Sequence, residues 1–405
     1  MDDVTLERYA QVLLSVGVEF RTGQRLLIHA PTHAASLVHH VARQAYQAGA
    51  LNVDVLWIDR AVDRARLWHG PEAAASELSS EAAVLAAAAD EADALLRLLG
   101  DDEVPPDPPV EPARAQIQSE AFQRACRPFT EAMFGGGLAW TLAAVPGPTW
   151  ARRVFPGLSE DEALEALWEA VARACRLDED DPIRAWREHL RQLDANCRYL
   201  DDAAFESIRF IGPGTDLLVG LSPAHVWAHP GSAPWGCANI PTEESPTAPH
   251  RDRVHGHVRI RRPVVINDTL VEEVHLTFTD GAVTDASAAV GQAVLDGLLG
   301  APGGERLGEV SLVPQSSRVA RERLVWHNIL FDENDASHIA LGSVIPPCIN
   351  GGSTMTPEEL HALGANIADQ HVDLVVGADD VDAVGIRQDG TEVVLMRAGE
   401  WSVHP

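Results

Sequence analysis

The chain has 405 residues, 46% of them hydrophobic, with a mean hydropathy of −0.07, which supplies apolar material for two packed domains. Its net charge of −29 argues against nucleic acid and anionic membrane surfaces, because both need clustered cations. All 31 basic side chains are arginine, which excludes Schiff-base, P-loop and lysine-assisted peptidase chemistry.

The pattern of apolar residues predicts a helix over 6–16, a strand over 25–30 and a helix over 37–48 with Ser36 as its cap. A strand over 53–58 follows, and this strand–helix–strand rhythm implies a parallel sheet with helical crossovers. An exposed alanine-rich helix is expected over 73–89, then a short strand over 95–99 and a stiff proline-rich linker over 101–109. Further on come a helix over 113–127, the glycine run 135–137, a strand over 138–145 and helices over 159–175 and 182–200. The glycines do not match G-x-G-x-x-G, which speaks against a dinucleotide fold. Beyond residue 208 short strands dominate, at 208–211, 216–221, 256–261, 274–278, 309–313, 374–376, 384–387 and 392–397. Helices are expected there over 286–299 and 356–363. The reading is α/β plus α+β: an N-terminal parallel-sheet domain over 1–205 and a mainly antiparallel catalytic domain over 206–405.

No apolar run approaches the ~18–20 residues that span a bilayer. The start Met1-Asp2-Asp3 lacks a basic segment, so no secretory signal is read and a cytoplasmic protein is expected. The five cysteines have no C-x-x-C spacing, which fits free thiols in a reducing compartment.

The chemistry gathers in the second half. Asp332-Glu333-Asn334-Asp335-Ala336-Ser337-His338 runs into the apolar strand Ile339-Ala340-Leu341 closed by Gly342. In His371-Val372-Asp373 the outer two residues share one face of a strand, which is unfavourable on a half-buried surface without a partner. Upstream lie Glu309, at the start of a strand, and the pair Glu243-Glu244. Glu243, Glu309, His338, His371 and Asp373 supply enough ligands for two divalent cations, and imidazole with carboxylate suits Zn, Co or Mn. Two such ions activate a shared water and polarise a carbonyl. A spare carboxylate, Glu244 or Glu333, is the candidate to move the proton from water to the leaving amine. There is neither G-x-S-x-G nor H-E-x-x-H in the chain.

The runs Asn239-Ile240-Pro241-Thr242-Glu243-Glu244, Leu307-Gly308-Glu309-Val310, Leu330-Phe331-Asp332-Glu333-Asn334, His338-Ile339-Ala340-Leu341-Gly342 and His371-Val372-Asp373 together resemble the thermophilic metallo-aminopeptidases, the group of aminopeptidases T, S and II. The resemblance covers nearly the full chain. It implies a two-domain fold, a homodimer, a co-catalytic pair of divalent metals held by Glu243, Glu309, His338, His371 and Asp373, and removal of an N-terminal residue from a peptide or small amide. The chain departs from that pattern at Ile345, where the resemblance leads one to expect a tyrosine, and at Ser245-Pro246, where it leads one to expect an apolar pair. An altered substrate follows as an expectation. Two alternatives stay open: a mononuclear iron dioxygenase-like enzyme using His338, His371 and Asp373, and a non-catalytic binding homologue.

Overall fold

The computed structural model describes residues 1–100, 110–134, 137–233, 235–267 and 269–403. The proline-rich linker and the first two glycines of the 135–137 run lie outside them. The chain forms two compact units. One comprises Met1–His189, Pro230–Pro241 and Asn267–Thr269, and the other Leu190–His229, Thr242–Ile266 and Leu270–Pro405.

The first unit alternates strands and helices: α1 (Asp3–Val12), β1 (Arg25–Pro31), α2 (Ala35–Gln47), β2 (Asn52–Ile58), α3 (Arg60–His69), α4 (Ser80–Glu91), β3 (Ala94–Leu99), α5 (Pro112–Phe134) and β4 (Ala139–Ala144). Then come α6 (Pro148–Val154), α7 (Glu160–Ala174) and α8 (Pro182–Ala203). The strands β5 (Phe205–Gly212) and β6 (Thr215–Leu221) belong to the second unit, and the two-residue β7 (Asn239–Ile240) returns to the first. The first sheet has the order β2-β1-β3-β4-β7, and every pair in it is parallel. Its central strands read as almost unbroken apolar runs, Leu26-Leu27-Ile28 and Leu95-Leu96, because helical crossovers bury both faces.

Four elements differ from the sequence expectation. The helix α3 has no apolar stripe, since only Leu67 is buried on it; the Asp59 carboxylate starts it by accepting the Ala61 N–H. The alanine-rich stretch divides into a 3₁₀ turn, Glu72–Ala75, and α4, because Ser79 is extended. That helix is not wholly exposed but buries Glu81, Ala82, Leu85 and Ala88. The expected 286–299 helix begins only at Gln292: the preceding strand runs on to Ser287, and Gly291, in the left-handed region (φ 78°), precedes the first helical residue. Also, α2 starts without a side-chain cap, following a 3₁₀ turn rather than Ser36.

The later strands are β8 (Ser245–Thr247), β9 (Pro249–Arg259), β10 (Val264–Ile266), β11 (Thr269–Val271), β12 (His275–Thr279), β13 (Ala282–Ser287), β14 (Leu307–Leu312), β15 (His338–Gly342), β16 (His371–Val375), β17 (Asp382–Arg387), β18 (Glu392–Arg397) and β19 (Glu400–Trp401). An eight-stranded antiparallel sheet runs β13-β12-β9-β6-β5-β17-β18-β19, and a four-stranded one runs β16-β15-β14-β8. One hydrophobic core joins them, with Phe210, Leu217 and Val254 from the larger sheet and Val310, Leu312, Ile339, Leu341 and Leu374 from the smaller. The smaller sheet therefore turns one face to that core and leaves the other for polar side chains. Among the described residues no helix is long and apolar enough to cross a membrane.

Candidate metal centre

Alternation along three strands builds the site. On β15, Ile339 and Leu341 enter the core, so His338, Ala340 and Gly342 take the opposite face. Register places Glu309 opposite Ala340 and Ala340 opposite Asp373, in one row across three strands. The neighbouring rows pair Ser311 with His338 and Gly342 with His371. Between the acidic side chains of β14 and β16 stands only the methyl of Ala340. The register shifts between Leu307 and Glu309, a bulge that re-aims the strand just before Glu309. Gly308 in that bulge has no room for a side chain: a Cβ there would lie 2.1 Å from the Ser343 carbonyl oxygen.

The resulting geometry is a shared carboxylate. Glu309 Oε1 lies 3.4 Å from His338 Nε2, while its Oε2 lies 3.0 Å from His371 Nε2. Each histidine has a second carboxylate of its own: Glu244 Oε2 at 3.2 Å from His338 and Asp373 Oδ1 at 3.2 Å from His371. The ligand atoms of Glu244, Glu309 and His338 all lie within 4.8 Å of one another, as do those of Glu309, His371 and Asp373. Both imidazoles turn Nδ1 to a backbone carbonyl, Ala336 at 3.3 Å and Ser343 at 2.8 Å. Without a cation each Nε2–H donates to the carboxylates; with Nδ1 held by a carbonyl, loss of the Nε2 proton would turn its lone pair to a cation, the usual outer support of a metal-bound histidine. The first group is buried, whereas His371 keeps 28% of its side chain accessible.

Burial pushes Glu309 upward, but hydrogen bonds from His338 and His371 outweigh it and hold the carboxyl at about 2. Burial likewise opposes charge on His338, and the Glu244 and Glu309 carboxylates raise it well above the ordinary value nonetheless. Against the same opposition, Asp373 and Glu309 raise His371. Glu244 is raised chiefly by burial, with the nearby Glu309 charge adding to it. Glu333 is pushed well above the carboxylate range by burial and then by the charges of Glu244 and Asp373. Protons on the imidazoles and on the raised carboxyls offset this charge in the empty cluster, and divalent cations would take their place there. The donor set, oxygen and imidazole nitrogen without sulfur, fits divalent Zn, Co or Mn.

Of the seven site residues expected from sequence, Glu244, Glu309, His338, His371 and Asp373 are brought together. Glu243 enters neither group, although it is buried; in the extended chain entering β8, adjacent side chains point opposite ways, and it is Glu244 that faces His338. Glu333 is buried beside the groups, its Oε1 accepting from Asn334 Nδ2 at 3.2 Å. Two contributors escaped the sequence reading. Ser311 donates to Glu244 Oε2 at 3.3 Å, and Asn334 accepts the Glu243 N–H at 2.6 Å. The i+2 spacing of Ser311 from Glu309 was the available signal for the first. Asn334 lies inside the chemistry-bearing stretch 332–338, but nothing local marked its partner Glu243.

A carboxylate shared between two histidine–carboxylate pairs is a donor set of the kind that metal-dependent hydrolases use. Comparison with known proteins gives the particular family. Residues 2–401 match the family described as Thermophilic metalloprotease (M29). The chain is 39% identical to aminopeptidase T of Thermus aquaticus over 409 residues, covering 98% of both chains. It is 38% identical to aminopeptidase 2 of Geobacillus stearothermophilus over 408 residues, covering 98% of this chain and 97% of the relative. The solved structure of wild-type AmpT from Thermus thermophilus superposes with a TM-score of 0.88 at 37% identity, covering 98% and 99% of the two chains. The chain belongs to the thermophilic metalloprotease family.

Proposed function

We propose that this protein is a metal-dependent aminopeptidase-type hydrolase that cleaves an N-terminal residue, or a related amide, at a pair of divalent cations sharing Glu309. The observation that carries the reading is the division of the Glu309 oxygens between His338 and His371, each with its own further carboxylate. Glu244, Glu309 and His338 would hold one cation, and Glu309, His371 and Asp373 the other. Such a pair supplies Lewis acidity toward an amide carbonyl and lowers the pKa of a bound water. Glu333 is the proton carrier in this reading: it is buried beside the cluster and belongs to neither ligand group. The mononuclear iron alternative would need His338, His371 and Asp373 on one ion, and the grouping of His338 with Glu244 and Glu309 favours two ions instead. The names of the relatives, aminopeptidases T and 2, support the peptide substrate. A homodimer in the cytoplasm completes the proposal.

The test is hydrolysis of a panel of amino-acid anilides by metal-loaded and chelator-treated protein. Loss of activity with chelator and its return with Zn, Co or Mn is expected; full activity in the chelated protein would refute the reading. The substrate is proposed to be specialised, because Ile345 brings an apolar group where the resemblance leads one to expect a phenol. Ile345 is half-buried ahead of the turn Pro346–Cys348 and packs with Ala248, Val344 and Cys348. Restoring a hydroxyl with Ile345→Tyr is expected to raise peptidase kcat, by up to ~10²–10³-fold if it supplies an oxyanion-type donor. An unchanged kcat on every peptide substrate would show that the missing hydroxyl is not what restrains the enzyme.

A further inference from the structure

The carboxylate contributed from outside the three strands, Glu244, has to be held by something other than sheet register. Glu244 lies just before β8, and β8 is the edge strand of the four-stranded sheet. The fixing group is an amide. Asn334 is fully buried, and its side chain bonds three partners: Oδ1 accepts the Glu243 N–H at 2.6 Å, while Nδ2 donates to the Leu330 carbonyl at 2.9 Å and to Glu333 Oε1 at 3.2 Å. One planar group thus ties the backbone that carries Glu244 to the segment that carries Glu333 and leads into His338. From the other side Ser311 holds the Glu244 carboxylate itself.

The segment bearing Asn334 is in turn fixed by its neighbours. Asp332 accepts the Trp326 and Asn328 backbone N–H groups, each at 3.0 Å, and the Ser317 hydroxyl bonds the Asn334 carbonyl at 3.2 Å. Asp335 pairs with Arg262. The amide therefore sits on a hydrogen-bonded base, and its own bonds fix where the Glu243-Glu244 segment lies.

The geometry points to Asn334 as the positioning residue of this centre: its amide clamps the Glu243-Glu244 segment to the His338 segment, completing the Glu244–Glu309–His338 cation site. This rests on the two-cation reading above and goes further, by naming what sets the affinity of one site and not the other. No other common side chain offers an acceptor and a two-fold donor at this length. Aspartate keeps the acceptor toward Glu243 but turns an oxygen against the Leu330 carbonyl and Glu333.

Three measurements on the full chain test it: Zn(II) titration by calorimetry, thermal unfolding, and amide exchange in the metal-free protein. Wild type is compared with Asn334→Ala and with Asn334→Asp, which retains one bond if the alanine variant does not fold. In the variant the affinity of one Zn(II) site is expected to fall ~10–100-fold, the magnitude known for outer supports of metal ligands, while the other site changes little. Asn334→Ala, or any variant lacking the acceptor, should also exchange the Glu243 amide faster before metal is added. A uniform loss of both sites, or unchanged affinity at both, overturns the proposal. If wild type itself binds no Zn(II), the two-cation reading fails. The clamp is then judged on the Glu243 exchange alone, and an unchanged rate in the variant lacking the acceptor overturns it.

Discussion

Glu309 illustrates how one side chain acquires a role from its surroundings. On sequence it is a glutamate at a strand start, a position that is ordinarily solvent-facing. In the fold it is 2% exposed and each oxygen faces a different imidazole. A second buried carboxylate, Glu81 in the first unit, makes a contrasting use of the same chemistry. Its Oε1 accepts from His29 Nε2 at 2.9 Å, and Arg60 reaches both oxygens. Among the described residues His29 Nδ1 has no hydrogen-bond partner, which matches a neutral ring protonated on Nε2, and burial lowers the pKa of His29. Burial raises Glu81, but the His29 hydrogen bond and the Arg60 charge overcome it and hold the carboxyl at about 2 against an ordinary 4.5. The sign follows from linkage: a depressed carboxylate pKa contributes stability above the unfolded value, and that contribution is lost as pH falls from 4.5 toward about 2. Glu81→Gln is therefore expected to melt below wild type at neutral pH, with the two melting curves converging as the medium is acidified through that window. A gap that stays constant down to pH ~2 would contradict the linkage.

Among the elements, β15 shows what patterning can and cannot reveal. The alternation of His338, Ala340 and Gly342 with Ile339 and Leu341 was legible as a strand, as was the shared face of His371 and Asp373. The small residues on the polar face have a purpose that appears only with register, because Ala340 stands between Glu309 and Asp373. Ala340→Val should leave the core face of β15 intact and crowd the site. Zn(II) binding is expected to weaken while the protein still unfolds cooperatively, and undiminished binding would contradict the row geometry. Gly342 is a second close approach: at φ 108° its Cβ would fall 2.0 Å from the Gln370 carbonyl oxygen, beside the start of β16. The difference between Glu243 and Glu244 was not legible, since adjacent residues in an extended chain differ only in the side they face; in the fold it is Glu244 that lies 3.2 Å from His338. Nor was Asn334, whose three partners include a backbone amide 91 residues away. The helix α3 was invisible for the opposite reason: it buries too little apolar surface to leave a period in the sequence.

For the molecule as a whole, the change of texture near residue 208 was readable as a passage from parallel to antiparallel sheet, and all ligand candidates lie on the antiparallel side. Composition cannot reveal that the first unit takes back the short stretches Pro230–Pro241 and Asn267–Thr269, since strand pairing such as that of β4 with β7 depends on the fold. The net charge of −29 fits a well-solvated acidic surface, but inside the second unit a similar excess of acid becomes a ligand field. The central claim is that one carboxylate serves two cations, and metal stoichiometry tests it most directly. Elemental analysis after equilibrium dialysis against Zn(II) should find two ions per wild-type chain, one in His371→Ala, and a drastic loss of both in Glu309→Gln. One ion per wild-type chain, or two retained in Glu309→Gln, would contradict the account.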